Sequence, residues 1–426
     1  MMNVVYIHTH DSGRYWAPYG YNMNMPNIMQ IAREGIVFRN AFCAAPTCSP
    51  SRAALLTGMA AHSAGMLGLT HRGFSLNDPG KHMASFFSSQ GFETVLCGLQ
   101  HEAEDVSSLG YSRIYRCDQP DSDRLRWDVD NAELACAYLR ELHEHPFFLS
   151  YGMMNTHRPY PDHLEGGINP DSVLPPWCVP DNAENRRDMA DYCYAVEIVD
   201  RCTGMILNTL RETGQLENTV LIVTTDHGIA WPFMKCTLYD TGIGVSLIMR
   251  IPGMEYKQHA TDCLASQVDI FPTLCDLLGI EKPDWLQGTS LVPVLQENLS
   301  VRSSIFAEVN YHSSYEPMRC IRTDRYKLIV RFDDYLGIIA TNIDPSMSKD
   351  ALCRAGYMRW NHAREELYDL DIDPVERVNL IYSRDYQKIY HELNKKLYEW
   401  MLATNDPLCV YRHRIPAPEK ARINMK

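Results

Sequence analysis

The segment Val220-Leu221-Ile222-Val223-Thr224-Thr225-Asp226-His227-Gly228 sets a run of strand-forming residues directly before an aspartate, a histidine and a glycine. Three other stretches repeat the arrangement. Val4-Val5-Tyr6-Ile7 leads to His8-Thr9-His10-Asp11, Thr94-Val95-Leu96-Cys97-Gly98 to Leu99-Gln100-His101, and Phe147-Phe148-Leu149-Ser150-Tyr151 to Asn155-Thr156-His157-Arg158. Short apolar runs alternating with helical segments are the pattern of an α/β domain on a mostly parallel sheet. In such open sheets the ligand crevice lies beyond the carboxyl ends of the strands, so four runs that each deliver His or Asp there imply one assembled site. Between them, Ile28 to Glu34 and Val196 to Thr213 have the apolar spacing of amphipathic helices. Residues 155 to 185, rich in Pro, Asp and Asn, read as a long irregular excursion that faces the substrate.

Near residue 300 the texture changes. Met318 to Val330 predicts two antiparallel strands around a turn, Glu366-Leu367-Tyr368-Asp369-Leu370 a further strand, and Tyr386 to Leu402 a final helix. The expected fold is therefore α/β, a large mostly parallel sheet flanked by helices over 1–300, followed by a smaller antiparallel sheet with a helix over 301–426. Composition bounds the partners. The 426 residues are 45% hydrophobic and 22% charged, long enough for a large core, and carry a formal charge of −13. That balance argues against nucleic acid or an anionic membrane surface as the main partner, and leaves an anionic substrate dependent on a local basic pocket. No run approaches the roughly 18 apolar residues of a membrane span, and no basic-then-apolar leader opens the chain. The fourteen cysteines show no Cys-x-x-Cys pairing, which suits reduced thiols; the reading is a cytoplasmic protein.

Residues 43 to 58, Cys-Ala-Ala-Pro-Thr-Cys-Ser-Pro-Ser-Arg-Ala-Ala-Leu-Leu-Thr-Gly, carry the chemistry. Pro50 suits a first helical turn, Ala53 to Leu56 propagate it and Gly58 stops it. Cys48 then sits at the positive end of a helix, where free amide groups favour anions, and Arg52 adds a permanently charged fork suited to sulfate or phosphate oxygens. Cys48, Pro50, Arg52 and Leu56-Thr57-Gly58 resemble the Cys-x-Pro-x-Arg signature of type I sulfatases, in the alkaline phosphatase superfamily. The resemblance implies that a formylglycine-generating enzyme oxidises Cys48 to an aldehyde, whose hydrate is the nucleophile. The spacing of His157-Arg158, of Asp226 to Lys235 and of the Cys48 helix followed by Gly65-Met66-Leu67-Gly68-Leu69 is similar to that in heparan N-sulfatases.

Breaking a sulfate ester or sulfamate needs a nucleophile at sulfur, neutralisation of the sulfuryl oxygens and a proton for the leaving atom. Asp11, Asp226 and His227 offer two hard carboxylates and a nitrogen to a divalent cation acting as a Lewis acid. By resemblance the metal set also includes Cys48 and the residue at position 10. Calcium is the ion the resemblance implies; the family has an acidic residue at position 10 where this chain has His10, and with His227 also present manganese or magnesium are alternatives. His101 and His157 are the candidate proton handlers. By resemblance His101 stands near the formylglycine hydroxyl, His157 faces the leaving group, and Lys235 touches the sulfate. A lysine usual in the family is Leu99 here; either another cation such as Arg14 or Arg72 takes over the charge, or activity is reduced. Arg14, His71, Arg72 and Arg158 fall in loops near the expected crevice and are candidate substrate contacts. The implied reaction is hydrolysis of a sulfate ester or sulfamate on a small sulfated sugar such as sulfated glucosamine. Rival readings are a phosphonate monoester or phosphodiester hydrolase, a non-catalytic sulfated-glycan binding protein, and an unmodified Cys48 thiolate.

Overall fold

A computed structural model describes residues 2–117, 124–411 and 414–422. The strands of its larger sheet are β1 (Asn3–Thr9), β2 (Ile36–Phe38), β3 (Glu93–Gly98), β4 (Arg113–Tyr115), β5 (Phe147–Gly152), β6 (Thr219–Thr225), β7 (Leu247–Arg250) and β8 (Ala260–Thr261). They lie in the order β4-β3-β5-β1-β6-β7-β2-β8. β1 pairs in parallel with β5 on one side and β6 on the other, β3 joins the far side of β5, and only β7 runs against the rest. Every residue of β1 and β6 is buried, which is why both read as near-continuous apolar runs. The α/β expectation and its crevice follow directly, because β1, β3, β5 and β6 are adjacent and end on the same edge.

Helices cover the faces. Pro26–Glu34 (α1) begins with its proline at the first turn and buries Ile28, Ile31 and Ala32. Cys48–Thr57 (α2) is buried along its whole length and closes at Gly58, whose φ of 67° is the left-handed conformation that a glycine adopts without strain. Ala183–Glu212 (α3) is longer than the sequence pattern suggested, starting thirteen residues before Val196. Its first half buries Asn185 and Asp188 beside Met189, so polar groups interrupt the apolar stripe that periodicity detects. Asn182 caps it, accepting a hydrogen bond from the Asn185 amide at 2.9 Å.

A second sheet is antiparallel and contains, in order, β9 (Ser304–Tyr311), β10 (Tyr315–Thr323), β11 (Tyr326–Arg331) and β12 (Glu365–Asp369). The helix Gln387–Ala403 packs on it through Leu393, Leu397 and Met401. One apolar cluster runs without a break from Val4 and Phe38 through Phe271 to Ile321 and Leu397, so the two sheets share a core. A buried ionic frame reinforces the union. Arg319 of β10 holds Asp406 through two hydrogen bonds of 2.5 and 2.8 Å, and Glu308 of β9 accepts from both the amide and Nδ1 of His62 in the N-terminal half.

Candidate active site

Cys48 occupies the first turn of α2, and its thiol meets the loops that leave β1 and β6. The Sγ atom lies 4.0 Å from Asp11 Oδ1 and 3.4 Å from His227 Nε2. Asp11 and Asp226 are tied to each other, the Asp11 amide donating to Asp226 Oδ1 at 2.8 Å. This bond needs the tight turn after β1, where Asp11 adopts φ 44°. The Ser51 hydroxyl donates to the Asp226 carbonyl at 2.6 Å, which pins the β6 loop to α2.

The donor set suits a divalent ion. His10, Asp11, Cys48 and Asp226 each point one ligand atom at a common point, all within 4.8 Å of one another and all buried. His10 Nδ1 is 3.0 Å from Asp226 Oδ2 but out of line for a hydrogen bond, and no other group satisfies it. His227 Nδ1 lies 3.0 Å from the Gly228 carbonyl; donating there leaves Nε2 as a free lone pair, 3.4 Å from Asp11 Oδ1 and 3.7 Å from Asp226 Oδ2. Ligands about 2.0–2.5 Å from one ion stand roughly 3–4 Å apart, the spacing found here. An imidazole nitrogen without a hydrogen-bond partner, facing two carboxylates, has the right chemistry to join them as a cation ligand, and His10 places nitrogen where a carboxylate was expected.

Cations flank the cluster. Arg52 is 1% exposed; its Nη2 donates to the Thr9 carbonyl at 2.7 Å and to Asp226 Oδ2 at 3.1 Å, while Nη1 meets His8 Nδ1. Lys235 reaches in from the β6 loop, with Nζ 2.9 Å from Asp11 Oδ2 and 3.4 Å from His157 Nε2. Burial alone would lower the lysine's pKa, yet Asp11 and Asp344 hold it well above the ordinary value. His157 Nδ1 is 2.7 Å from the Arg158 carbonyl, so the tautomer that donates there presents Nε2 to the cavity. Burial, and then Lys235, push the His157 pKa down. His101 stands edge-on to His10 at 5.9 Å and stacks on His71 at 5.8 Å; burial carries its pKa down to about 3, and its Nδ1 has no partner. Burial likewise pushes the Cys48 thiol well above its usual value, which disfavours a thiolate at this position.

Eight of the residues singled out by sequence therefore converge directly: His10, Asp11, Cys48, Arg52, His157, Asp226, His227 and Lys235. His101 and His71 border them. Three arginines do not join. Arg14 donates to the Ala41 carbonyl at 2.9 Å and covers the Phe42 ring at 4.4 Å, so its charge stabilises that packing. Arg72 donates to the Ser313 carbonyl. Arg158 is locked in a bidentate pair with Asp188 at 2.6 and 2.7 Å, between the Tyr160 and Trp231 rings. None of them substitutes for the lysine replaced by Leu99, a buried side chain; Arg52 and Lys235 are the cations at the cluster.

Sequence reasoning passed over His8, which braces Arg52, and over Asp128, whose carboxylate accepts from the Met154 and Asn155 amides and fixes the loop carrying His157. It also passed over His312 and Asp344, supplied by the smaller sheet. Asp344 Oδ2 is 3.0 Å from Lys235 Nζ. No spacing rule links residues so far apart in the chain, and neither lies in a motif.

Comparison with known proteins gives a consistent picture. The family described as "Sulfatase" matches residues 2–280, and that described as "N-sulphoglucosamine sulphohydrolase, C-terminal" matches 226–359. Human N-sulphoglucosamine sulphohydrolase is 27% identical over 440 aligned positions, covering 90% of this chain and 86% of its own. A solved 2-O GAG sulfatase superposes with a TM-score of 0.75 at 23% identity, covering 99% and 96% of the two chains. A protein solved with its substrate D-glucosamine-2-N,6-O-disulfate superposes at 0.74 with 20% identity, covering 95% and 98%. At those identities the two structures speak to the fold.

Proposed function

Because this chain belongs to the sulfatase family, we propose that it hydrolyses a sulfate ester or sulfamate on a small sulfated sugar, sulfated glucosamine being the reference substrate. One observation carries the reading: a helix-start cysteine, a cluster of carboxylates and imidazoles, and two buried cations lie together. Sulfate esters and sulfamates share the sulfuryl group that such a niche would hold.

Position 48, oxidised from cysteine to formylglycine by a separate enzyme, supplies the oxygen nucleophile through its hydrate. Asp11, Asp226, His10 and His227, with residue 48 beside them, would hold a divalent ion, which would supply Lewis acidity at a sulfuryl oxygen; calcium is the expected ion, manganese or magnesium the alternatives. The chain's own groups do the rest. Arg52 orients Asp226 and, with the free amides at the start of α2, favours negative charge beside residue 48. Lys235 holds the sulfuryl oxygens from the mouth side. His157 Nε2 faces the departing oxygen or nitrogen and protonates it from the imidazolium form, while Lys235, 3.4 Å away, keeps its own proton. His101, kept neutral by burial, is the base that accepts a proton from residue 48 as the second half-reaction restores the aldehyde. The buried cysteines Cys43, Cys97, Cys136, Cys202 and Cys275 are free thiols, which supports maturation in a reducing compartment.

The test is a sulfate-release assay over N-, 3-O- and 6-O-sulfated glucosamines, an aryl sulfate and an aryl phosphate, with intact-mass analysis of the peptide containing residue 48. Release from at least one sulfated sugar by aldehyde-bearing protein, lost in Cys48→Ala with the fold intact, is the expected result. Faster cleavage of the phosphate, or binding of sulfated sugars without release, would refute the proposal.

A further inference from the structure

Asp344 is an ionised group that the scheme above leaves without a task. It lies on the connection between β11 and β12, and its side chain is 17% exposed. Its Oδ2 is buried in an ion pair 3.0 Å from Lys235 Nζ and has no well-aligned hydrogen bond. Buried carboxylates are acceptor-only groups that native structures almost always satisfy, so an unmet one calls for an external donor.

The surroundings prevent Asp344 from relaxing toward a partner of its own. Asn342 accepts from the Ser314 amide and donates to Glu316 Oε2, both at 2.8 Å. Lys349 Nζ donates to the Ala340 and Ile343 carbonyls, both at 2.7 Å, and Ser346 caps the helix Met347–Arg354. That helix is fastened to α3, the Ser348 hydroxyl donating to Asp188 Oδ2 at 2.9 Å. Burial would raise the Asp344 carboxyl, but Lys235, His312 and His157 hold it well below the usual carboxylate range. His312 also presents a buried Nδ1 with no partner.

The order of groups across the cavity defines what meets this carboxylate. Lys235 Nζ lies 2.9 Å from Asp11 Oδ2 and 3.0 Å from Asp344 Oδ2, with His157 Nε2 at 3.4 Å. A sulfate held by Lys235 with its leaving atom at His157 would have its sugar within reach of Asp344.

We infer that Asp344 determines specificity for the sugar: its carboxylate accepts hydrogen bonds from a hydroxyl or ammonium group neighbouring the scissile sulfate, and repels a second sulfate in that place. The inference rests on the sulfated-sugar reading of the site. A pocket built to hydrogen-bond a substrate donor rejects analogues lacking it far more strongly than an apolar pocket rejects a change of size.

The experiment compares wild type, Asp344→Asn and Asp344→Ala on three substrates: the monosulfated glucosamine that wild type turns over best, its disulfated counterpart, and 4-nitrophenyl sulfate, which has no sugar hydroxyls. In Asp344→Asn, kcat/KM for the monosulfated sugar falls about 10- to 100-fold, mostly through KM, as expected for losing hydrogen bonds to a charged acceptor. The preference for the monosulfated over the disulfated sugar shrinks about tenfold, and the aryl sulfate loses far less than the sugar. Equal losses on sugar and aryl sulfate would overturn the inference, since Asp344 would then act only through Lys235. If neither variant folds, wild type alone decides: no preference for the monosulfated sugar overturns the inference. Sulfate release with flat selectivity defeats this inference and spares the sulfatase reading; no release from any substrate defeats both.

Discussion

Replacing Asp188 with asparagine removes one charge from a buried pair while keeping its outline. Arg158 and Asp188 are 8% and 3% exposed at the side chain, share two hydrogen bonds of 2.6 and 2.7 Å, and sit where Tyr160 lies 4.3 Å from the guanidinium. Nε of the arginine donates to the Ala230 carbonyl at 2.7 Å, so the group cannot swing out to water without breaking that bond too. Deleting one partner of such a pair leaves an uncompensated buried charge and costs about 3–5 kcal/mol. A direct charge contact at an effective dielectric near 20 gives roughly 4 kcal/mol, the same size. The paired change Arg158→Met/Asp188→Leu leaves no stranded charge, and its cost falls short of the sum of the single losses by at least about 2 kcal/mol. Urea unfolding at constant slope measures all three variants. Because His157 Nδ1 donates to the Arg158 carbonyl, a disturbed pair also lowers kcat more than it raises KM. Additive single losses, or an Asp188→Asn cost below about 1 kcal/mol, would refute this account. A rise in KM at unchanged stability in Arg158→Lys would return the arginine to the role of substrate contact.

Dialysis against a chelator should abolish sulfate release and lower the melting temperature, and re-added calcium or manganese at 100 times its Kd should restore about 2.7 kcal/mol; melting that ignores both treatments would eliminate the proposed ion site. Burial pushes the Asp128 carboxyl up to about 7, against the donors Asn155 and Met154. Its folded pKa exceeds the unfolded value of about 3.9, so folding takes up a proton and stability declines as pH rises from about 4 to about 7, by up to about 4 kcal/mol. Asp128→Asn lacks this slope, and urea midpoints at both ends of the window would run parallel in the two proteins if the reasoning were mistaken. Asp406→Asn removes the bidentate partner of Arg319, leaving Glu308 at 3.5 Å, and should cost about 1.5–3 kcal/mol, read as faster proteolysis of the Gln387–Ala403 helix; a proteolysis rate equal to wild type would contradict the buried-frame assignment.

What could be read from residues alone was whatever the chain expresses locally. β1 and β6 are buried on both faces, so their apolar runs and the ligands just past them are contiguous in sequence, and Asp11, Asp226 and His227 followed at once. Cys48 was legible because the proline, arginine and glycine that shape its helix lie within one short segment. Arg14, Arg72 and Arg158 misled for a complementary reason. A guanidinium near a crevice has several reachable acceptors, and only the tertiary fold selects Ala41, Ser313 or Asp188. The first half of α3 escaped because its inward face carries Asp188, a polar group whose burial makes sense only once Arg158 is beside it. Asp344 had no local signature at all, its neighbours in the cavity being brought there by a sheet that begins after residue 300.

The side chain at position 48 is 2% exposed and walled in by α2 and the two strand loops. On the proposed oxidation, a modifying enzyme would have to reach a side chain that the folded molecule encloses within a helix. Maturation and folding would then compete in time: a polypeptide that closed before modification would keep its thiol, and slowing its collapse, by cooler expression or by weakening the contacts of α2, should raise the fraction that is processed.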